Sequence, residues 1–283
     1  MRQLGEIEVR TIEMGRFALD GGAMFGVVPK PLWEKQIAAD VRNRIPLALR
    51  CLLLRVAGRL VLVDTGAGEN WSEREQDIYD LAPVAGGVLG ALQRIGVAPD
   101  EVTDVILTHL HFDHAGGIVR RDGAGTLVPT FSEATHHLQR RHFKWAEHAS
   151  EKDRGSFKLD EVTLLARSGR LHLLDGDTEI FDGVEVLVSE GHSVGQQLVR
   201  VRGGGETLLY CGDVIPTTAH LRIPWVMGYD LYPLTTIEEK KAILAQAVED
   251  NWILVFEHDP VVAACRVRED RGQVVVAEAV ALA

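Results

Sequence analysis

The sequence is poor in the features that mark several large classes of protein. Its 283 residues include three cysteines and 6% aromatic residues, and 30 Lys and Arg are outnumbered by 41 Asp and Glu. Cys51, Cys211 and Cys265 are too few and too widely spaced for a disulfide framework or a Cys-x-x-Cys metal site. We expect buried, reduced thiols. The formal charge of −11, without a dense run of Lys or Arg, excludes nucleic acid as an expected partner.

Long hydrophobic runs are also missing. The first residues contain no apolar signal segment, and the most apolar stretch, residues 47–63, is interrupted by Arg50, Arg55 and Arg59. We therefore expect no membrane partner and a cytoplasmic location. No repeat or linker divides the chain, which favours a single domain over residues 1–283. Within it, residues 1–46 are expected to be an N-terminal extension that shapes the pocket or a dimer interface, so a homodimer is an expected assembly.

What the sequence does contain is two groups of short apolar runs with helical segments between and after them. Residues 47–63 predict a hairpin that turns at Ala57-Gly58, and residues 179–181, 184–188, 197–201 and 207–210 predict a meander of short strands. Helices are predicted over residues 84–95, 139–149 and 237–248, the last with a capping box formed by Thr235 and Glu238. Two sets of strands with helices outside predict a layered α/β/β/α sandwich, with functional residues on loops at one edge.

The most informative segment is a His-x-His-x-Asp-His motif that follows the buried run 105–107. Alternate residues of an extended chain share a face, so His109 and His111 can converge on one metal. A turn into a helix would then direct Asp113 and His114 towards a second metal. Three further candidates each follow a predicted strand: His192, Asp213 and His258. Taken singly, His192 and His258 are more typical of structural histidines than of ligands, and Asp213 is more typical of a turn or cap residue. Together with the motif they form a set of seven.

This order of ligands resembles the metallo-β-lactamase superfamily. The resemblance implies an αββα sandwich, in which two mixed sheets pack face to face with helices outside. It also implies that His109, His111 and His192 hold one metal, that Asp113, His114 and His258 hold the other, and that Asp213 bridges the two. His111 stands where the diiron flavoprotein branch has Glu, which favours zinc and hydrolysis; Mn, Co or Fe are the alternatives.

From about residue 19 to residue 259 the sequence further resembles the quorum-quenching N-acyl homoserine lactonases, through residues 20–30, 108–117 and 216–233. The resemblance implies a carboxylic ester hydrolase (EC 3.1.1) that opens lactone rings by attack of a metal-bridging hydroxide. Asp113 is the expected proton shuttle, and Asp213 is the fallback. Related branches hydrolyse aryl esters and organophosphate triesters, so an esterase or phosphotriesterase that uses the same dimetal site is the alternative.

The substrate pocket is expected to be apolar. Its candidate residues, each equally consistent with a structural role, are Met24, Phe25, Val27, Thr217, His220, Trp225, Met227 and Tyr229. Many such lactonases place a tyrosine three residues beyond the bridging aspartate, but that position is Pro216 here; Tyr229, His220 or Thr217 are the candidate replacements.

Other polar residues are assigned outside the substrate pocket. Asp64, at the end of a predicted strand, is expected to orient a ligand histidine. Four further histidines in or near a polar helix are expected to be solvated: His136, His137, His142 and His148.

Overall fold

A computed structural model describes residues 1–282, which are built around two β-sheets that pack against each other. The strands, numbered in chain order, are β1 (Arg2–Leu4), β2 (Ile7–Asp20), β3 (Arg44–Val56), β4 (Arg59–Val63), β5 (Ala82–Pro83), β6 (Asp104–Ile106), β7 (Val119–Arg121), β8 (Leu127–Pro129), β9 (Thr135–Gln139), β10 (Leu171–Leu174), β11 (Thr178–Phe181), β12 (Val184–Ser189), β13 (Gln196–Gly203), β14 (Glu206–Tyr210), β15 (Ile253–Val255), β16 (Ala264–Asp270) and β17 (Gln273–Ala279).

The helices lie between these strands. They are α1 (Gly21–Phe25), α2 (Lys30–Trp33), α3 (Glu73–Tyr79), α4 (Gly87–Arg94), α5 (Phe112–Ala115), α6 (Arg140–Glu147), α7 (Leu159–Arg167) and α8 (Pro233–Glu249). Short 3-10 turns occur at Pro99–Glu101, Gly116–Ile118, Arg154–Ser156, Gly212–Val214 and Thr218–Leu221. No helix in the described part of the chain is long and apolar enough to cross a membrane.

Both sheets are mixed. The first has the strand order β1-β2-β3-β4-β6-β9-β10, with β5 paired to β2, and the second runs in sequence order from β11 to β17. Strands β4, β6, β9 and β10 pair in parallel, as do β14 and β15. Because the carboxyl ends of parallel strands meet at one edge of a sheet, the loops that follow β4, β6, β14 and β15 lie along a common rim.

Strand β3 explains how the layers are held together. Its side chains alternate between two faces, and almost all of them are buried. Leu52 and Leu54 face the second sheet and pack with residues such as Val199 and Tyr210. Their neighbours on the other face pack against α4, while α8 covers the outer face of the second sheet. The predicted αββα layering is therefore confirmed.

Several local predictions are confirmed and one is wrong. The hairpin turns at Ala57 and Gly58, whose φ angles of 49° and 76° suit a two-residue turn between twisted strands. The three cysteines are free and buried. The capping box of α8 is not formed: the helix begins at Pro233, and the preceding Tyr232 makes no side-chain cap. Proline suits the first helical position because its fixed φ is already helical and the missing N–H needs no partner there.

The first 46 residues fall into two parts. Residues 2–20 are strands of the first sheet, since β2 pairs with β3 along most of its length. Residues 21–43 leave the sheet and carry α1 and α2, and the side chain of Met24 in α1 reaches the cavity described below. The segment therefore contributes to both the sheet and the cavity wall.

Candidate metal centre and active site

Seven side chains converge at the rim of the two sheets. His109 and His111 lie in the loop after β6, and Asp113 and His114 lie in α5, which follows at once. The remaining three follow β12, β14 and β15, respectively: His192, Asp213 and His258. All seven side chains are buried, with at most 6% of each residue exposed. The sheet topology therefore brings together the complete ligand set that the sequence suggested.

These side chains form two adjoining groups. The ligand atoms of His109, His111, His192 and Asp213 all lie within 4.8 Å of one another, and so do those of Asp113, His114 and His258. The carboxylate of Asp213 faces both groups, because Oδ2 lies 3.2 Å from His192 Nε2 and Oδ1 lies 3.1 Å from His258 Nε2. Asp213 thus stands between the two groups.

The ring nitrogens within each group face one another. His111 Nδ1 lies 3.0 Å from His109 Nε2 and 3.1 Å from His192 Nε2, and His114 Nε2 lies 3.2 Å from His258 Nε2. Burial, followed by the neighbouring imidazoles, holds the pKa of His109 and of His111 well below the usual value, so both rings are neutral. Neutral imidazole nitrogens are metal ligands, and convergent lone pairs fit a cation.

Hydrogen bonds on the far side of the rings fix which nitrogen points inward. His114 Nδ1 donates to Asp64 Oδ2 at 3.0 Å, His192 Nδ1 donates to Asp230 Oδ1 at 2.9 Å, and His258 Nδ1 donates to the carbonyl of Ala48 at 2.9 Å. Each Nε2 therefore faces the centre and is the nitrogen available to a cation. These residues fit two divalent cations.

Asp64 fixes both a candidate ligand, His114, and the start of the loop that carries the ligand motif. Its Oδ1 accepts from the backbone N–H of Thr108, and its Oδ2 accepts from the Thr108 hydroxyl, both at 2.7 Å. Asp64 has a φ of 58°, in the left-handed region, which turns its side chain back under the loop. Asp64 therefore orients His114 and anchors the start of the motif through one carboxylate.

Sequence reasoning missed a second carboxylate at His114. Glu257 is fully buried, and its Oε2 lies 2.8 Å from His114 Nδ1, yet neither of its oxygens has a hydrogen-bond partner. His114 Nδ1 thus has two carboxylate neighbours, Asp64 Oδ2 at 3.0 Å and Glu257 Oε2 at 2.8 Å. Burial raises the pKa of Glu257 to about 8, against the opposing effect of His114. A cation held on the His114 side of the centre would add positive charge next to the carboxylates of Asp64 and Glu257.

Asp230 was also missed, because nothing in the local sequence links it to His192. We expect Asp230→Asn to weaken metal binding by roughly 10- to 100-fold, since the amide cannot hold the His192 ring as the carboxylate does. Competition with a chromophoric chelator measures the affinity. The matched control is Asp182→Asn, in an exposed turn, which should bind metal like the parent protein. Equal affinities for the two variants would contradict the role of Asp230.

A cavity of about 250 Å³ opens beside the ligands. Five of the seven ligand residues line it, and its apolar wall is formed by Leu19, Met24, Phe112 and Met227. Tyr79 and Tyr229 add two phenol groups. Lys152 ties the wall together, because its ammonium donates to the carbonyls of Gly228, Tyr229 and Asp230 at 2.8–2.9 Å. An apolar cavity with a few polar groups at one end suits a small, partly hydrophobic molecule.

The structure separates the pocket candidates into three sets. Met24, Met227 and Tyr229 line the cavity. Four others form a buried support behind Met24 and do not line it: Phe25, Thr217, His220 and Trp225. In that support Phe25 stacks on His220, whose Nε2 donates to the Met24 carbonyl at 2.9 Å. Val27 is 91% exposed and does not line the cavity.

The expectation of solvated histidines is wrong for His136, His137 and His142, which are buried; only His148 is exposed. His142 Nε2 accepts from the backbone N–H of Leu110, and Nδ1 donates to the carbonyl of Val194, both at 2.8 Å. Burial lowers the pKa of His142 to about 4, so the ring stays neutral. His142 therefore braces the loop between two candidate ligands.

Comparisons with known proteins agree with this geometry. The family model of the Metallo-beta-lactamase superfamily matches residues 46–258. An N-acyl homoserine lactonase of Bacillus cereus is 30% identical over 232 residues, which cover 77% of this chain and 83% of the relative.

Solved structures show the same fold. A probable metal-dependent hydrolase from Staphylococcus aureus superposes with a TM-score of 0.86 at 30% identity, covering 99% of this chain and 100% of that one. A dizinc quorum-quenching lactonase in complex with a product superposes with a TM-score of 0.80 at 21% identity, covering 97% and 95%.

Proposed function

Because the chain belongs to the metallo-beta-lactamase superfamily, we propose that it is a dinuclear metal hydrolase that opens the ring of N-acyl homoserine lactones. The observation that carries the proposal is the pair of ligand groups at the end of an apolar cavity. The relatives named as lactonases support the substrate class. Zinc suits a set of imidazole and carboxylate ligands, and Mn, Co or Fe are the alternatives.

In this proposal the first group of ligands, completed by Asp213, holds one cation, and Asp113, His114 and His258 hold the other with Asp213 between them. When bound, two such cations supply a Lewis acid for a carbonyl oxygen and a water of lowered pKa as nucleophile. No side-chain nucleophile is needed. Cys211, although next to the Gly212–Val214 turn, is buried, and burial raises the pKa of its thiol.

Asp113 carries the proton in this scheme. Its carboxylate lines the cavity, and Oδ2 lies 3.5 Å from His258 Nε2. A carboxylate in this position can accept the proton released on attack and pass it to the ring oxygen that leaves as an alkoxide. Ring opening needs one proton, so a single shuttle is sufficient.

Tyr229 is the proposed donor of a hydrogen bond to the substrate carbonyl. It lines the cavity, and burial, together with the charge of Asp113, raises the pKa of its phenol. The phenol therefore stays protonated at neutral pH and can donate a hydrogen bond. Tyr229 would thus provide the hydrogen bond that many such lactonases obtain from a tyrosine at the position of Pro216. The apolar side chains of Leu19, Met24 and Met227 would accommodate the acyl chain.

A series of lactones with increasing acyl length tests the substrate class. We expect kcat/KM to rise with each added CH2 until the cavity of about 250 Å³ is filled. A fully buried CH2 contributes about 0.8 kcal/mol, which is about fourfold per step. The protein should carry close to two equivalents of divalent metal by elemental analysis, and aryl esters and organophosphate triesters are assayed beside the lactones.

The two substrate classes give different patterns. An esterase or phosphotriesterase would follow the pKa of the leaving group and would be indifferent to acyl length. That result, with lactones hydrolysed poorly, would replace the lactonase proposal by the alternative. Absence of bound metal, with no gain of activity on adding Zn²⁺, Mn²⁺ or Co²⁺, would contradict the dinuclear hydrolase itself.

A further inference from the structure

A pair of histidines outside the centre brings two ring nitrogens together across neighbouring strands. His137 on β9 and His172 on β10 are directly opposite each other in the parallel register, and their Nδ1 atoms lie 3.1 Å apart. His137 is 6% exposed, whereas His172 is exposed to solvent. We infer that this pair binds one divalent transition-metal ion that prefers imidazole ligands, such as Zn²⁺, Ni²⁺ or Cu²⁺.

The inner histidine is oriented for this task. His137 Nε2 donates to Asp104 Oδ1 at 2.8 Å, so the proton is on Nε2 and the Nδ1 lone pair faces His172. The other oxygen of Asp104 accepts from Arg59 at 3.0 Å. The guanidinium therefore lies beside a carboxylate that offsets its charge. The same carboxylate–imidazole contact orients His114 and His192 in the main centre.

The spacing of the two nitrogens suits a metal ion. With Zn–N bonds of about 2.0–2.1 Å, a separation of 3.1 Å corresponds to an N–Zn–N angle of about 98°, compatible with a distorted tetrahedron. The facing ring nitrogens of the main centre are 3.0–3.2 Å apart. The pair thus repeats, at a separate place, the spacing found where seven ligands converge.

The location of this histidine pair at a solvent-exposed sheet edge predicts weak, exchangeable metal binding. Strand β10 is the edge of the first sheet, and His172 opens to solvent, so water can complete the coordination sphere. The ring of Phe181, with its centroid 6.2 Å from that of His137, closes the inner side. With two protein ligands the ion binds more weakly than in the main centre and exchanges with the free metal pool. A bound ion also joins β10 to β9.

Metal stoichiometry tests the inference. Protein loaded with two equivalents of Zn²⁺ is dialysed against increasing free Zn²⁺, and we expect a third equivalent to bind. His172→Gln should lose the third equivalent and keep the first two, with unchanged turnover, since this side chain is exposed and outside the cavity. The matched control is His148→Gln, an exposed histidine after α6, which should bind the third equivalent like the parent protein.

A second variant tests whether the orientation of His137 by Asp104 matters, beyond the closeness of the two histidines. Asp104→Asn should weaken the third site by roughly 10- to 100-fold while both histidines remain. One result would overturn the inference: a His172→Gln variant that binds as many equivalents of metal as the parent protein, whatever the total count. The comparison between variants does not rest on the proposed reaction. If the main centre held fewer ions, the starting count would fall and the difference of one equivalent would remain.

Discussion

Asp213→Asn is expected to lower kcat/KM by at least about a hundredfold and to reduce the bound metal below two equivalents. The carboxylate presents one oxygen to each ligand group, at 3.2 Å from His192 Nε2 and 3.1 Å from His258 Nε2. An amide removes the negative charge from both groups at once and offers only one ligand oxygen. Loss of a partner that merely orients a ligand already weakens metal binding by 10- to 100-fold, so loss of a shared ligand should exceed this range.

Asp182→Asn is the matched control, because Asp182 lies in an exposed turn between β11 and β12. It should retain both metal and activity. Elemental analysis and kcat/KM are measured on the same preparations of both variants. If Asp213→Asn kept two equivalents and parental activity, Asp213 would not be a ligand shared by the two metals.

Asp113→Asn should lower kcat by about a hundredfold or more even when excess Zn²⁺ restores two equivalents. General acid–base catalysis typically contributes this much, and the amide can neither accept nor return the proton. The metal content must be measured with the kinetics, because a variant lacking one ion would lose activity for a different reason. A fully metallated Asp113→Asn protein with near-parental kcat would move the proton transfer to Asp213 or to solvent.

Tyr229→Phe provides the comparison for Asp113→Asn within the same cavity. A hydrogen bond to a neutral carbonyl contributes about 0.5–1.5 kcal/mol, so kcat/KM should fall about threefold to tenfold. The variant keeps the ring and removes only the hydroxyl, which leaves the apolar wall intact. A loss equal to that of Asp113→Asn would assign the phenol a part in proton transfer.

The layered fold and the candidate ligand set could be predicted because short stretches of sequence carry clear local patterns for both. Strand β3 is part of a near-continuous apolar run that is buried on both faces, and four ligand-type residues stand together at positions 109–114. The residues that orient the ligands have no such signal. Asp230 lies 38 residues after His192 in the sequence, and no local sequence pattern predicts the hydrogen bond between them.

Two local errors have physical reasons. Strand β9 contains His136 and His137 and lacks an apolar run, so its burial comes from its neighbours β6 and β10 rather than from its composition. In the segment after β2, Met24 reaches the cavity whereas Val27, beyond the turn at Gly26, is directed to solvent. Gly26 has a φ of 57°, a reversal that the apolar character of the segment does not reveal.

The long separation between ligands along the chain has a consequence for the order of folding. His114 and His258 stand 144 positions apart, and His258 follows a strand that pairs in parallel with β14 across the whole of α8. Contacts this distant form slowly, because a large loop must close before they stabilise anything. In the unfolded chain the motif at positions 109–114 keeps His109, His111 and His114 close together in sequence, but the other candidate ligands lie far along the chain. We therefore expect the complete ligand set to form late in folding, and metal binding there to follow sheet assembly rather than guide it.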